Sequence, residues 1–142
     1  MNKKYKVFLY VIAPILIGFF IYILFRPDKI IIFNWLDALG FSELISNLRG
    51  ISPSNSKIPS WIIYNLPDGL WVYSLTALML IIWQDTKDNK KYFWVFSPLI
   101  ISIMIEIGQY ALIIPGTYDY MDIILCLIAT PLPFLILYKK NN

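Results

Sequence analysis

Histidine is absent from the 142 residues, and cysteine occurs once, as Cys126. The first absence removes imidazole as general acid or base, as metal ligand and as partner of a serine or cysteine nucleophile. The second removes any internal disulfide; Cys126, set among Leu and Ile, reads as apolar filler. Charge is scarce too, at 15% of residues against roughly a quarter in soluble domains. The net +3 comes from lysines at the ends of apolar runs rather than on one face, which argues against a nucleic-acid partner. No repeat, low-complexity tract or domain boundary interrupts the chain, so residues 1–142 are expected to form a single membrane domain.

What is present in excess is hydrocarbon. Apolar residues make up 58% of the chain, above the roughly 45–50% of soluble domains. They lie in runs close to the ~20 residues that cross a bilayer as a helix. The expected architecture is all-α, an integral membrane four-helix bundle with spans at about 7–25, 67–84, 93–114 and 118–138. No Ala-x-Ala-like cleavage signal follows the first run, which therefore reads as a retained anchor. Pro14 should disturb the first span, and Pro131 and Pro133 the last. Residues 29–65 are too polar and too broken to cross. They predict short interfacial helices, one from Lys29 to Leu39 stopped by Gly40 and one from Ser42 to Arg49 closed by Gly50, with Ser42 as N-cap. Ser52 to Ser60 reads as a loop, and Trp61 and Tyr64 suit the headgroup level.

Eight of the twelve basic residues fall in the N-terminus, the 85–91 loop and the C-terminus, which share one side if there are four spans. By the positive-inside rule that side is cytoplasmic, so both termini are expected inside, with the 26–67 segment and the Pro115-Gly116 turn outside.

The chemistry concentrates around that turn. Glu106 and Gln109 share a helix face, Ser102 lies one turn away on the same stripe, and Asp119 and Asp122 repeat the i, i+3 spacing at the start of the last span. Glu106 stands eight residues before Ile114, about 12 Å along the helix and near the midplane of a ~30 Å core. A carboxyl there requires a partner or a task, and no Lys or Arg lies within a span to neutralise it. Gln109 and Ser102 are its expected hydrogen-bonding neighbours. Asp68 at the start of the second span, and Arg26 with Asp28 at the end of the first, would complete an outward-open polar pocket floored by Glu106. Several of these residues also have ordinary structural readings. Asp68 suits an N-cap, Asp119 and Asp122 suit a helix start, Arg26 suits an interfacial anchor, and Gly116 suits a turn.

The pattern Glu-x-x-Gln, a short apolar stretch, then Gly-x-x-Asp-x-x-Asp resembles the signature of VanZ-like membrane proteins. Glu106, Gln109, Gly116, Asp119 and Asp122 carry it here. Cys126 and Ala129 stand where the family often has Asn and Gly, and Thr117 where it often has Arg. The resemblance implies a small multi-pass protein of the bacterial cytoplasmic membrane, in a family whose founding member is associated with low-level teicoplanin resistance.

Three functions fit. One is a non-enzymatic envelope protein whose pocket takes a lipid headgroup, cell-wall precursor or amphipathic drug, with a preference for a cation or ammonium. Another is a structural or accessory subunit whose acids meet a basic residue of a second membrane protein. The third is an enzyme in which Asp119, Asp122 and Glu106 hold a divalent metal, although no nucleophile or phosphate clamp accompanies them. No cofactor is expected for the first two.

Overall fold

The computed structural model describes residues 2–27, 31–51 and 58–138, and among these every regular element is helical. Asp28, residues 52–57 of the expected loop, and Lys139 and Lys140 lie outside the described residues. Helix α1 is Lys3–Phe25, α2 Ile31–Ala38, α3 Ser42–Ile51, α4 Ser60–Tyr64, α5 Leu66–Ile82, α6 Lys90–Tyr110, α7 Tyr120–Ala129 and α8 Leu132–Tyr138.

Three segments are long and apolar enough to cross a membrane: Lys3–Phe25, Lys90–Tyr110 and Tyr120–Leu137. Their outer faces carry exposed Leu16, Ile17, Phe20, Ile101, Met104, Ile107, Leu127 and Ile128. So continuous an apolar surface suits hydrocarbon and not water. Helix α5 is shorter and is nevertheless the hub, packing against α1, α6, α7 and α8. It holds buried Val72, Ser74, Thr76, Ala77 and Ile81. Its small residues let those neighbours come close, and the buried Ser74 and Thr76 hydroxyls find no hydrogen-bond partner among the described residues.

The prolines act locally. The Pro14 ring would collide with the Tyr10 carbonyl in a regular helix, and α1 widens into a π turn over Phe8–Ile12 just before it. Pro131 and Pro133 lack the N–H groups that would continue α7, so the helix breaks at Thr130 and resumes as α8. Thr130 turns its hydroxyl onto the Cys126 carbonyl at 2.8 Å.

Outside the long helices, α2 ends as expected at Gly40, whose φ of +80° closes a Schellman turn through Phe41 N–H to Leu36 O and Gly40 N–H to Asp37 O. Helix α3 runs through Gly50 to Ile51 rather than stopping before it. Ser42 lies within α3, and its hydroxyl donates to the Asp37 carboxylate, tying α2 to α3 instead of capping α3. Phe33 and Ile45 pack on Ile23 at the end of α1. Arg49 donates to the carbonyls of Ile23 and Arg26 at 2.7 and 2.6 Å.

The expected spans need one larger correction. Helix α6 stops at Tyr110 rather than Ile114, and α7 starts at Tyr120 rather than Tyr118. The connection is therefore 111–119 and not a tight Pro115-Gly116 turn. Leu112 adopts φ +58°, so Ile113 N–H bonds Gly108 O and Leu112 N–H bonds Gln109 O, a Schellman ending with leucine in the position glycine usually fills. Ile114 then folds back over Gly108, where an added Cβ would lie 2.5 Å from its Cδ1. Glu106 is thus one turn from the helix end, about 6 Å and not 12 Å.

Candidate functional site

The starts of α5 and α7 are fastened together by a residue the sequence reading passed over. Asn65, 4% exposed, stands at the N-cap position of α5, the place expected for Asp68. Its side chain makes no cap bond; the amide instead donates to Asp119 Oδ2 and Asp122 Oδ1, each at 2.8 Å. Asp119 caps α7 by accepting from Met121 N–H at 2.9 Å. Its own backbone N–H donates to Glu106 Oε2 at 3.1 Å, which joins α6 to the cluster. Glu106 is thereby held by the backbone of the 111–119 connection, not by Gln109 or Ser102 as expected. Ser102 donates to Cys126 Sγ at 3.2 Å.

Around this cluster the charges follow the helix dipoles with one exception. Asp68 and Asp122 sit in the first turns of α5 and α7, and Arg26 follows the last turn of α1, all at favoured ends. Glu106 is an acid in the last stretch of α6, where the dipole opposes it, and it is 6% exposed. Its position is unfavourable for helix stability alone, so the reason for it lies in what it faces.

It faces a cavity of ≈ 660 Å³, within the ~300–1,000 Å³ common for small-molecule sites. Arg26, Asp68, Glu106, Gln109, Pro115, Gly116 and Asp122 all reach its wall, so the structure gathers the expected ring around one space. Asp119 stands behind the wall in the Asn65 cluster. Arg26 is the single cation among the described lining residues. Its guanidinium donates to the Tyr64 carbonyl at 2.7 Å, lies 5.1 and 5.0 Å from the Tyr22 and Tyr64 ring centres, and is within electrostatic reach of Asp68 and Asp122. Arg26 and Gln109 also each carry one atom closed off from the cavity and without a partner among the described residues, Nε and Oε1. Gln109 is pressed into place by Gly116, whose φ of +143° and missing side chain leave room for the amide; a Cβ there would lie 2.5 Å from Nε2.

The cavity exists because α1 and α6 both pack on α5 without packing extensively on each other. Ile15, Phe19 and Ile105, which are partly exposed, border that gap. The metal alternative fares less well. Among the described residues no three carboxylates or thiols come close enough together to hold an ion, since Glu106, Asp119 and Asp122 are spread along the hydrogen-bonded chain.

The chain was compared with protein-family profiles, with curated proteins and with solved structures. None of the three comparisons finds a match.

Asn65 was legible only as a polar residue before Leu66-Pro67, where proline at the second helical position marks the start of α5 and makes residue 65 its cap. Its partners lie 54 and 57 residues away, beyond any local pattern.

Proposed function

We propose that the protein is a multi-pass membrane protein that binds the cationic, ammonium-bearing end of an amphiphile in this cavity without catalysing a reaction. The observation that carries the reading is the cavity wall itself, where Asp68, Glu106 and Asp122 face one arginine across ≈ 660 Å³ bordered by apolar helices. An ammonium satisfies these carboxylates, whereas a bare anion would meet net repulsion. The position of Glu106, opposed by its helix dipole, is the cost such a site carries.

In this proposal α1, α5, α6 and α7–α8 form a four-helix bundle in a bacterial cytoplasmic membrane, with both termini and the 85–91 loop inside and the cavity facing the outer leaflet. Support comes from α5 packing against each of the other long segments and from the lysine distribution. The VanZ-like resemblance belongs to the same reading, because Glu106, Gln109, Gly116 and Asp122 line the cavity and Asp119 braces Glu106.

The binding test is Glu106→Gln, which keeps the acceptor for Asp119 N–H and removes the charge. Binding of dodecylammonium to the purified variant should fall by roughly tenfold or more, with membrane abundance unchanged. Equal binding in both proteins ends the reading. The orientation test uses Cys126→Ala carrying either Asn89→Cys or Ile113→Cys, in intact cells, with an impermeant thiol reagent. Ile113 is 80% exposed and should label, while position 89 should label only after lysis. The reverse pattern inverts the cavity.

A further inference from the structure

We propose that the small cavity at the far end of α5 holds the phosphate group of an anionic phospholipid, with Lys6 and Lys91 as its counter-charges. This second site is separate from the ammonium cavity and stands or falls without it.

The first observation is the wall. Lys6 of α1, Lys91 of α6 and Gln84, just past the end of α5, line one cavity of ≈ 90 Å³. Among the described residues no carboxylate lines it. Asp85 and Asp88 belong to the adjoining loop, where they accept from Gln84 Nε2 at 3.4 Å and from the Lys90 backbone N–H at 2.9 Å. Lys6 has no hydrogen-bond or ion-pair partner among the described residues. Lys91 donates to the Thr86 carbonyl at 3.1 Å and lies 5.3 Å from the centre of the Tyr92 ring, which holds its ammonium in place and leaves further N–H donors. Two cations around one space repel each other, and an anion between them reverses the sign of that energy.

The second observation is depth. Helix α6 has 21 residues, about 31 Å at ~1.5 Å per residue, which matches a ~30 Å hydrocarbon core. Lys91 is the second residue of that helix, Lys6 lies in the first turns of α1, and Gln84 follows the last turn of α5. All three therefore stand where a spanning helix leaves the hydrocarbon, at the level of lipid headgroups. Trp83 and Tyr92 complete this part of the wall, and their ring types favour the same level.

The third observation is size. The cavity has the volume of about three water molecules at ~30 Å³ each, room for a phosphate and not for an acyl chain. Ile81 and Leu137 of the buried apolar cluster line it as well, so the space ends where the bundle packs. The chains then lie outside, against apolar faces such as exposed Phe8, Phe93 and Leu135. A free phosphate would gain the lysines alone, and a lipid gains both. A choline headgroup would bring its own cation towards Lys6 and Lys91, so the occupant carries net negative charge.

The test uses the whole protein, purified in mild detergent, with native mass spectrometry as readout. The ligands are phosphatidylglycerol and phosphatidylcholine of equal chains, with inorganic phosphate and glycerol 3-phosphate as chain-free competitors. Phosphatidylglycerol should bind about tenfold more tightly than phosphatidylcholine. Lys6→Gln, at a side chain with no bond to lose, should weaken phosphatidylglycerol about fivefold, and adding Lys91→Gln should bring the loss to about twentyfold. Lys3→Gln with Lys4→Gln removes the same charge from the same end but from residues that do not line the cavity, and should change affinity less than about twofold. Equal binding of the two lipids overturns the anionic site. A loss with Lys3→Gln and Lys4→Gln as large as with Lys6→Gln and Lys91→Gln overturns the cavity in favour of diffuse surface charge. Displacement of the lipid by an equimolar chain-free phosphate overturns the lipid as its source. Dodecylammonium, the probe of the acidic cavity, should bind Lys6→Gln as it binds wild type, and a matching loss overturns the separation of the two sites.

Discussion

The two ends of helix α5 are built on opposite principles. Near its last turns, Ala77 and Ile81 pack with Val11 and Leu137 into a dry cluster, and the cavity beside them is only ≈ 90 Å³. At its start, Asn65, Pro67, Asp68 and Gly69 meet a polar network and a space of ≈ 660 Å³. At the dry end Val11 of α1 and Leu137 of α8 share one buried cluster with Ala77 and Ile81 of α5. At the wet end α1 and α6 stay apart, and the fastening runs instead through Asn65, Asp119, Asp122 and Glu106. The contrast teaches that the bundle divides its tasks along its length. Packing holds one end, and a few directed hydrogen bonds hold the other while leaving room for a ligand.

That division can be broken from either side. The largest effect is expected for Asn65→Ala, which strips two hydrogen bonds from partly buried carboxylates and should cost roughly 4 kcal/mol. Reversible unfolding in mixed micelles measures it, and a loss below about 1 kcal/mol would mean that the polar end is held by something else. Next is Ile81→Ala at the dry end. Ile81 is 2% exposed, and its truncation should cost roughly 3 kcal/mol with ligand affinity untouched; a parallel loss of affinity would join the two ends into one cooperative unit. Smaller again is Gly116→Ala, roughly 2 kcal/mol from a side chain at φ +143°. Here affinity should suffer more than stability, because the new methyl displaces the Gln109 amide. Stability loss without affinity loss would remove Gln109 from the site.

Much of the helical content could be read from the sequence, since apolar runs of bilayer length announce themselves by composition. The first helix begins at Lys3 rather than near residue 7, because the lysines continue it without needing to be buried. The end of α6 was hidden for a different reason. Ala111 to Ile114 continues the apolar run, yet the backbone leaves the helix through a left-handed leucine, a conformation that residue type seldom adopts and no local pattern signals. Hydropathy reports what the surroundings are, not whether the chain is still helical within them. In the site, the acids, Gln109 and Arg26 were visible because charged and amide groups stand out against hydrocarbon. The bonds that organise them were not. Asn65 only closed a segment too polar and broken to cross, and the N–H of Asp119 that holds Glu106 belongs to the backbone, which carries no letter of its own.

Arg49 gives the segment between α1 and α4 a mechanical meaning. The final carbonyls of a helix have no donors of their own, and at the end of α1 this side chain supplies them, reaching Ile23 O and Arg26 O while resting on the Phe33 ring at 4.5 Å. The amphipathic α3 is thereby latched to the very residue that brings positive charge to the cavity. Any displacement of α3 is therefore carried to Arg26 at the cavity wall.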